Sequence, residues 1–539
     1  MGVADLGVQS IMIFGRVKPL DAILATAEKK SLHRSLGAFQ LTMLGIGAVI
    51  GTGIFVLTSE AAQKAGPGML FSFIVAGFVC GVAALCYSEL ASMVPVAGSA
   101  YTYTYAVVGE VLAWMVGWAL ILEYAVGASA VAVGWSNHAV GLLAASGIHF
   151  PAILSNADAL MAHVQLAFGA TASPDLMTAA QTGGWLNLPA VVISIAVMLL
   201  LVLGTTESAF VNALLVCIKI AALSLFVFLT LPGMHTANFQ PFLPTGSLGV
   251  FGAAASIFFA YVGFDAVSTA AEETKNPQRN VPIGLIGSLL ICTLFYLLVA
   301  SGAIGAIGAQ PVTGANGAVL APGTAEIAGR CAAITASGAI EPLVCSKEAL
   351  VHVLQVIGHP IFGWMVGLAA VLALPSVVLM MMYGQTRIFF TMARDGLLPA
   401  KLASVHPKFR TPHIVTYVTG VAAAIAAAFL PVGKLADYSN SGTLFAFLMV
   451  AVSVMVLRKT DPSRKRPFRT PIVWIVAPLA IIGCIALYAS LPLTAILVLP
   501  VWGVFGLVVY FFYSRSRSYV GRGILDGAPG DADMTAVHP

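Results

Sequence analysis

A glycine-rich stretch inside an apolar segment is the first feature that could bind a small polar molecule. It reads GIGAVIGTGIF at 45–55 and contains four glycines, among them Gly47, Gly51 and Gly53. Each glycine inside a helix costs about 1 kcal/mol relative to alanine, so this density of glycines predicts an interrupted helix. Close helix packing is the alternative explanation for such glycines, but two glycines that flank Thr52 leave no simple packing face.

A second stretch has a similar character. The segment FFAYVGFDAVSTAAEE at 258–273 places Gly263 and Asp265 in the middle of another apolar run. We therefore predict a second interrupted helix there. Asp265 has the residue type that caps a helix start by accepting hydrogen bonds from free N–H groups, and we favour this structural role for it.

An interrupted helix offers two kinds of backbone group to a ligand. The second half-helix begins with free N–H groups and the positive end of its dipole, which suit a carboxylate. Unpaired carbonyl groups at the interruption suit an ammonium group. Because a site with both features recognises a zwitterion, the predicted ligand is a free α-amino acid.

The elements that position these stretches are predicted to be membrane spans. The chain has 59% hydrophobic and 9% charged residues with a mean hydropathy of +0.95, whereas about a quarter of the residues in soluble domains are charged. This composition excludes soluble, disordered and disulfide-rich secreted proteins and predicts an all-α polytopic protein in a lipid bilayer. With about 20 residues needed for each crossing, we predict 12 transmembrane helices, near 38–63, 68–94, 107–145, 187–205, 209–231, 248–271, 282–308, 360–393, 412–431, 436–458, 471–490 and 493–514.

Positive charges predict the orientation of these spans. Of the 26 lysines and arginines, we assign 21 to one side of the membrane. They lie in the N-terminal segment, in the connections that follow the sixth, eighth and tenth spans, and in the C-terminal tail. The opposite side has four, and Lys219 lies inside a span. This bias places both termini in the cytoplasm. No basic stripe lies on a soluble face, so nucleic acid is not an expected partner.

The order of the spans indicates an internal repeat. The two interrupted helices are the first members of two groups of five, which is the pattern of a 5+5 inverted repeat with substrate between its halves. We expect a cytoplasmic N-terminal segment at 1–35, a first repeat at 36–231 and a second repeat at 248–458. The last two spans, with a basic loop before them, are expected at 459–514, and a cytoplasmic tail at 515–539.

The connections at 146–186 and 309–359 are rich in alanine and glycine and poor in charge. We expect neither of them to be a folded domain. Cys331 and Cys345 lie in the second connection, on the outer side, where a disulfide is one interpretation and two unpaired thiols are the other.

Three motifs identify a resemblance. GAVIGTGIF in the first span, FFAYVGFDAVSTAAEETKNPQRNVP at 258–282 and MYGQTRIFFTMARDGLLP at 382–399 resemble the amino acid–polyamine–organocation superfamily, and most closely bacterial relatives of the cationic amino acid transporters. The resemblance covers about 30–515. It implies the leucine-transporter-type fold, with broken helices 1 and 6 around a site at the middle of the membrane. Members of this branch commonly transport amino acids with protons and without sodium.

The resemblance also implies where the substrate backbone binds. Its carboxylate is expected at the N–H groups of Thr52 and Gly53 and at the Thr52 hydroxyl group. Its ammonium group is expected at carbonyl groups of both interruptions, namely those of Val49, Phe259, Ala260 and Val262.

Side-chain contacts are expected from two aromatic residues and two methionines. The ring of Phe264 or of Tyr261 would form a lid or a pocket wall. Met381, with its neighbour Met382, is a candidate for the side-chain pocket, and a packing or lipid-facing methionine is the alternative.

Two ionisable residues inside spans are candidates for proton coupling, because such residues are costly in a membrane and usually functional. Lys219 matches a family position that reaches the broken part of the first span, near the place where sodium-coupled relatives hold sodium. Its protonation would replace sodium. Glu123 matches a carboxylate linked to the proton path. The alternatives are a snorkelling lysine and a structural acid.

The sequence thus predicts a secondary active transporter of L-amino acids in the bacterial inner membrane, which works by alternating access and proton symport. Apolar pocket segments favour neutral substrates such as alanine. A cationic amino acid uniporter or exchanger, or a sensor that does not transport, are the alternatives. Because metalloprotease and hydrolase motifs are absent, we expect no enzyme activity, metal or cofactor. Whether a small accessory membrane subunit binds the protein is left open.

Overall fold

The computed structural model describes residues 16–20, 23, 36–94, 99–169, 172–204, 209–271, 274–314, 317–321, 324–409 and 411–524. Most of the predicted N-terminal segment 1–35 and the end of the tail, 525–539, therefore lie outside the described residues. In the part of the chain that is described, the architecture is helical, with one two-residue β-ladder.

The first half of the chain contains the helices α1 (Ala38–Val49), α2 (Thr52–Phe55), α3 (Leu57–Ala65), α4 (Met69–Met93), α5 (Ser99–Val107), α6 (Glu110–Ala145), α7 (Asp158–Ala167), α8 (Pro174–Thr182), α9 (Leu188–Leu203) and α10 (Ala209–Thr230). The strands β1 (Ser155–Asn156) and β2 (Leu186–Asn187) are antiparallel and pair Ser155 with Asn187.

The second half contains α11 (Gly246–Ile257), α12 (Ala266–Thr269), α13 (Pro277–Ile307), α14 (Ala325–Ala336), α15 (Ala349–Val356), α16 (Pro360–Arg394), α17 (His413–Phe429), α18 (Val432–Thr460), α19 (Val473–Ala489), α20 (Leu493–Val509) and α21 (Arg515–Arg517). Short 3₁₀ turns join several of them, and one, Phe258–Tyr261, follows α11 directly.

Seven helical segments among the described residues are long and apolar enough to cross a membrane: Leu57–Met93, Glu110–Ala145, Val211–Gly233, Pro277–Ile307, Pro360–Arg394, Val432–Thr460 and Leu493–Arg517. Shorter apolar helices of 10–17 residues are Ala38–Val49, Leu188–Leu203, Gly246–Tyr261, His413–Phe429 and Val473–Ala489. Each predicted span overlaps one of these two sets. The ends differ by a few residues in places; the third predicted span, for example, begins at Glu110 rather than at 107.

Helix α6 is the central element of the bundle. It packs along α16 on one side and α18 on another, and its middle is buried. Near its start, the Trp114 Nε1–H group donates to the carbonyl of Gly506 at 2.8 Å, and that of Trp118 donates to the carbonyl of Trp502 at 2.8 Å. These indole bonds fix α20 against α6, because a buried N–H group needs an acceptor.

The two long connections are more ordered than the sequence predicts. The first contains α7 and α8, and the second contains α14 and α15. Helix α14 lies so close to α8 that a Cβ at Gly329 would be 1.7 Å from the Asp175 carbonyl oxygen. Cys331 and Cys345 are joined by a disulfide. The sequence did not predict these short helices, since alanine-rich segments form them only once another helix packs on them.

Glu348 fixes the second connection to the bundle. It precedes α15, and a Cβ at Gly141 of α6 would lie 2.0 Å from its Oε2 atom. The carboxylate therefore rests directly on the helix backbone, in a place that only glycine leaves open. Burial raises the pKa of Glu348 to about 8, well above the value of 4.5 that is usual for glutamate.

Replacing Glu348 with glutamine is expected to change the pH dependence of stability. Between pH 4.5 and about 8 the folded protein keeps a proton on Glu348 that the unfolded chain has lost. Wild-type stability therefore falls as the pH rises through this window, by up to about 1.4 kcal/mol per pH unit, and levels off above it. Thermal unfolding of the purified protein at several pH values would show E348Q gaining on the wild type as the pH rises.

The matched control for this experiment is Glu341→Gln, which removes a carboxylate from the same connection. It should follow the wild-type pH profile. If E348Q and the wild type lose stability in parallel from pH 5 to pH 8, the carboxyl group is not held neutral in the folded protein.

Candidate substrate-binding site

The first predicted interruption lies between α1 and α2. Helix α1 ends at Val49, and Ile50 and Gly51 leave helical geometry with φ values of −73° and −143°. Helix α2 then begins at Thr52. The first residues of a helix have N–H groups with no partner inside the helix, so the start of α2 presents free donors at this point.

The second interruption follows α11. The chain continues after Ile257 as a 3₁₀ turn, Phe258–Tyr261, and Val262 is extended. Gly263 then has a φ of +113°, a conformation that L side chains rarely adopt. Helix α12 begins only at Ala266. The glycine is thus required where the backbone turns between the two half-helices.

The two interruptions touch each other. A Cβ at Gly53 would lie 2.3 Å from the Cα and 2.4 Å from the Cβ of Ala260, and a Cβ at Gly263 would lie 3.0 Å from the carbonyl oxygen of Ala48. Gly47 is equally restricted, because its Cβ would lie 2.8 Å from Val216 of α10. Gly51 differs: the nearest atom, on Val377, would be 3.4 Å away, an ordinary contact.

The Thr52 hydroxyl group lies at the crossing, the place where the two interruptions meet, and it is a donor without an acceptor among the described residues. The residue is 1% exposed, and its Oγ1 atom has no hydrogen-bond partner among the described residues. Gly134 of α6 faces it, and a Cβ there would lie 2.7 Å from Oγ1. A buried hydroxyl group without a partner is costly, so this position is suited to a ligand that accepts a hydrogen bond.

Tyr296 of α13 bridges the two interruptions. Its hydroxyl oxygen lies 2.9 Å from the Val49 carbonyl and 2.7 Å from the Ala260 carbonyl. Both belong to the carbonyl groups expected to meet the ammonium group, and a third, that of Phe259, accepts from the Val262 N–H group. A carbonyl oxygen has two lone pairs and can accept a second bond, so these contacts leave room for a ligand.

The sequence analysis did not find Tyr296. The available signal was a single tyrosine in the apolar run SLLICTLFYLLVASG. A hydroxyl group in such a span needs a buried acceptor, although the sequence does not reveal which one.

Side chains from three helices meet next to the interruptions. A Cβ at Gly127 of α6 would lie 3.6 Å from the Phe259 ring, 3.7 Å from the Met381 sulfur and 3.3 Å from the Ser439 hydroxyl oxygen. Phe259 and Met381 are each 4% exposed. The structure therefore places Met381 beside the second interruption, and Ser439 is a neighbour that the sequence did not indicate.

The two aromatic residues considered as lids lie elsewhere. Phe264 packs in an aromatic cluster, with ring centroids 5.0 Å from Phe447 and 6.1 Å from Tyr87. The Tyr261 hydroxyl group donates to the Phe73 carbonyl at 3.0 Å, and its ring lies against Tyr296. Both rings are held by other helices rather than placed over the crossing.

Lys219 reaches the first interruption. It is 1% exposed, and its ammonium group donates to the Gly47 carbonyl at 2.7 Å, in the last turn of α1. The carbonyl end of a helix attracts a cation through the helix dipole. The side chain thus points into the bundle and does not extend to an interface.

Glu123 lies against a different helix. It is fully buried in α6, its carboxylate oxygens have no hydrogen-bond partner among the described residues, and its carbonyl accepts from the Ser439 hydroxyl group of α18 at 3.0 Å. An ionised carboxylate is costly in such a place, so this group is suited to carry a proton. Next to it, the Tyr124 hydroxyl group donates to Asp265 at 2.9 Å.

Asp265 occupies the N-cap position of α12, but its side chain makes no capping hydrogen bond. The preference for a helix-capping role was therefore wrong. Its carboxylate accepts from the Tyr124 hydroxyl group instead, which ties the second interrupted helix to α6.

Apolar helices long enough to cross a membrane, with two interrupted helices that meet beside a buried hydroxyl group unpaired among the described residues, are the architecture of a multi-pass membrane transporter. The sequence profile of the amino acid permease family matches residues 36–513, nearly the whole chain. The protein belongs to this family and is an amino acid permease, which confirms the resemblance to the amino acid–polyamine–organocation superfamily.

Named relatives agree with this assignment. The branched-chain amino acid permease BcaP of Bacillus subtilis (strain 168) is 43% identical over 510 residues, which cover 95% of this chain and 99% of the relative. The methylthioribose transporter of the same organism is 39% identical over 508 residues, covering 94% and 99%. Human cationic amino acid transporter 4 is 32% identical over 461 residues, covering 83% of this chain and 63% of the relative.

Proposed function

We propose that this permease is a proton-coupled symporter of neutral L-amino acids in the bacterial inner membrane. It works by alternating access between the repeats 36–231 and 248–458, within 12 spans whose termini are both cytoplasmic. The observation that carries this proposal is the buried, unpartnered hydroxyl group of Thr52 at the start of α2. The substrate carboxylate binds there and at the N–H groups of Thr52 and Gly53, favoured by the dipole of the half-helix.

The substrate ammonium group binds carbonyl oxygens of the two interruptions. Tyr296 holds the carbonyls of Val49 and Ala260 in one place, and each keeps a lone pair for the ligand. Because the donor and acceptor groups come from two separate helices, the site is complete only when both interruptions close around the substrate.

The substrate side chain is neutral and aliphatic in this proposal. Beside the crossing, Phe259, Met381 and Ser439 lie around Gly127, and none of these three side chains is charged. A relative with 43% identity is named a branched-chain amino acid permease. We therefore extend the expected substrates from alanine to leucine, isoleucine and valine.

Uptake into proteoliposomes tests the proposal. Radiolabelled leucine or alanine should accumulate when the outside is more acidic than the lumen, and should only equilibrate without a pH gradient. Arginine and lysine should not compete for uptake. Accumulation that ignores the pH gradient would point to an exchanger or a uniporter, and substrate binding without flux would point to a sensor.

Threonine variants test whether the Thr52 hydroxyl group binds the substrate. Thr52→Val removes only the hydroxyl group and should raise KM about tenfold to a hundredfold, the contribution of one hydrogen bond to a charged group. Thr52→Ser should restore uptake. The matched control is Thr58→Val in α3, because the Thr58 hydroxyl group already donates to the Ile54 carbonyl of α2. Equal effects at both positions would remove Thr52 from the site.

A further inference from the structure

A cavity lies where the second connection, 309–359, meets the bundle. It has a volume of about 300 Å³ and is bounded by the end of α6, by α15 and by the start of α16. Its lining includes Gly141, Glu348, Gln355, Ile361 and Trp364. None of these residues belongs to the substrate-binding site.

Glu348 is the ionisable group of this cavity, and a bound ammonium group would favour its ionised form. Its backbone is fully used, since its N–H group donates to the Ser346 hydroxyl oxygen and its carbonyl accepts from His352. Its carboxylate lies on Gly141 and has no hydrogen bond or ion pair among the described residues. A mostly buried carboxylate without a partner is costly, so a ligand that donates hydrogen bonds would stabilise it.

Neighbouring charged and titratable groups do not supply that partner. Lys347 pairs with Asp158 at 2.9 Å. The His352 ring is hydrogen-bonded to the Glu341 carbonyl at 2.7 Å, and the His359 ring packs on Phe362. The remaining neighbours from α6 that line the cavity are Gly141, Leu142 and Ala145, which have no charge.

Two other features of the cavity favour a cation. The last turn of α6 ends here at Ala145, and the carbonyl end of a helix carries partial negative charge. Trp364 also lines the cavity, and the face of an indole ring attracts cations. Carboxylate, helix end and ring together select an ammonium group rather than an anion or an apolar ligand.

Part of the cavity lining is exposed at one end of a helix that is long and apolar enough to cross a membrane. Ile361 and Trp364 are 73% and 41% exposed at the start of the membrane-crossing helix α16, and tryptophans are enriched at the membrane–water interface. We propose that this cavity binds the primary ammonium group of an aminophospholipid headgroup, with Glu348 as its acceptor. The lipid would then link the second connection, α6 and α16.

Lipid binding to the purified protein in detergent, followed by native mass spectrometry, tests this proposal. The probes are phosphatidylethanolamine, its N-methyl and N,N-dimethyl derivatives and phosphatidylcholine, all with identical acyl chains. Because each methyl group removes one N–H donor, affinity should fall along the series, by about tenfold overall for one charge-assisted hydrogen bond lost. A cation–π site without the carboxylate would not show this decline.

Three variants locate the site. Glu348→Gln should bind all four lipids alike, whereas Glu341→Gln should keep the wild-type order. Gly141→Ala keeps Glu348 but puts a Cβ 2.0 Å from its Oε2 atom, and it should also flatten the series. Thermal unfolding checks that each variant is folded.

Three results would overturn the proposal. The first is a wild type without preference for phosphatidylethanolamine. The second is an E348Q variant that keeps the preference. The third is displacement of the lipid by an equal concentration of soluble glycerophosphoethanolamine, which would show a site for free amines rather than for membrane lipids.

Discussion

Lys219→Met is expected to abolish substrate accumulation driven by a pH gradient while leaving substrate exchange in place. The ammonium group of Lys219 donates to the Gly47 carbonyl at 2.7 Å in the last turn of α1, next to the first interruption. A cation at this place ties α10 to the half-helix α1, which moves in the proposed alternating access. When it loses its proton, it also loses its charge and its attraction to the helix end.

Protonation of Lys219 and binding of the substrate are linked equilibria in this proposal. If protonated Lys219 stabilises the arrangement that binds substrate, then substrate binding must favour protonation to the same extent. Methionine has similar length and no charge, so the variant keeps the packing and loses the linkage. We expect its accumulation ratio to fall to the equilibrium value of about one, because an uncoupled carrier only dissipates a gradient.

Two assays separate coupling from binding. Uptake of leucine into proteoliposomes with an acidic outside measures coupling, and exchange of internal for external leucine at a single pH measures the carrier alone. The control is Lys401→Met, which removes an exposed lysine and should accumulate leucine like the wild type. A Lys219→Met protein that still concentrates leucine under a pH gradient would show that another group, with Glu123 the first candidate, carries the coupling proton.

How far the sequence predicts this site depends on the range of the interactions. The interruption between α1 and α2 follows from local cost, because four glycines within nine residues weaken a helix wherever it lies. The positive φ of Gly263 has the same local origin. Such features can be predicted from spacing alone.

Features that depend on packing could not be predicted. Tyr296 shares its hydroxyl group between two carbonyls that are 211 positions apart, at Val49 and Ala260, and nothing in the flanking sequence indicates either acceptor. The expected lid, Phe264, belongs to an aromatic cluster with Phe447 of α18. The short helices of the two connections also depend on each other, since isolated helices of this length are marginal in water.

Glycines illustrate the same division within one motif. From the sequence alone, Gly51 and Gly53 cannot be distinguished in importance, since both flank Thr52. The structure distinguishes them, because Gly53 faces the backbone of Ala260 and Gly51 faces only the side chain of Val377. Which glycine is indispensable is therefore a property of the packed helices, and it can be tested.

Gly53→Ala is expected to abolish transport, whereas Gly51→Ala is expected to retain it. The Cβ of an alanine at position 53 would lie 2.3 Å from the Cα of Ala260, a backbone atom that cannot rotate away. The two interruptions must then separate, which moves the N–H groups of α2 away from the carbonyls proposed to bind the other end of the substrate. Overpacking of this kind typically costs about 1–3 kcal/mol, and misplacing the binding groups adds a loss of affinity.

Leucine uptake and leucine-induced thermal stabilisation, measured on both purified variants, check this expectation. An alanine at position 51 meets Val377 at 3.4 Å with a φ of −143°, so Gly51→Ala should retain uptake within about threefold, a change below 1 kcal/mol. Gly81→Ala controls for the effect of alanine on a helix, because its Cβ would meet no atom within 4 Å. If Gly53→Ala transports leucine as Gly51→Ala does, the contact between the two interruptions does not form part of the substrate site.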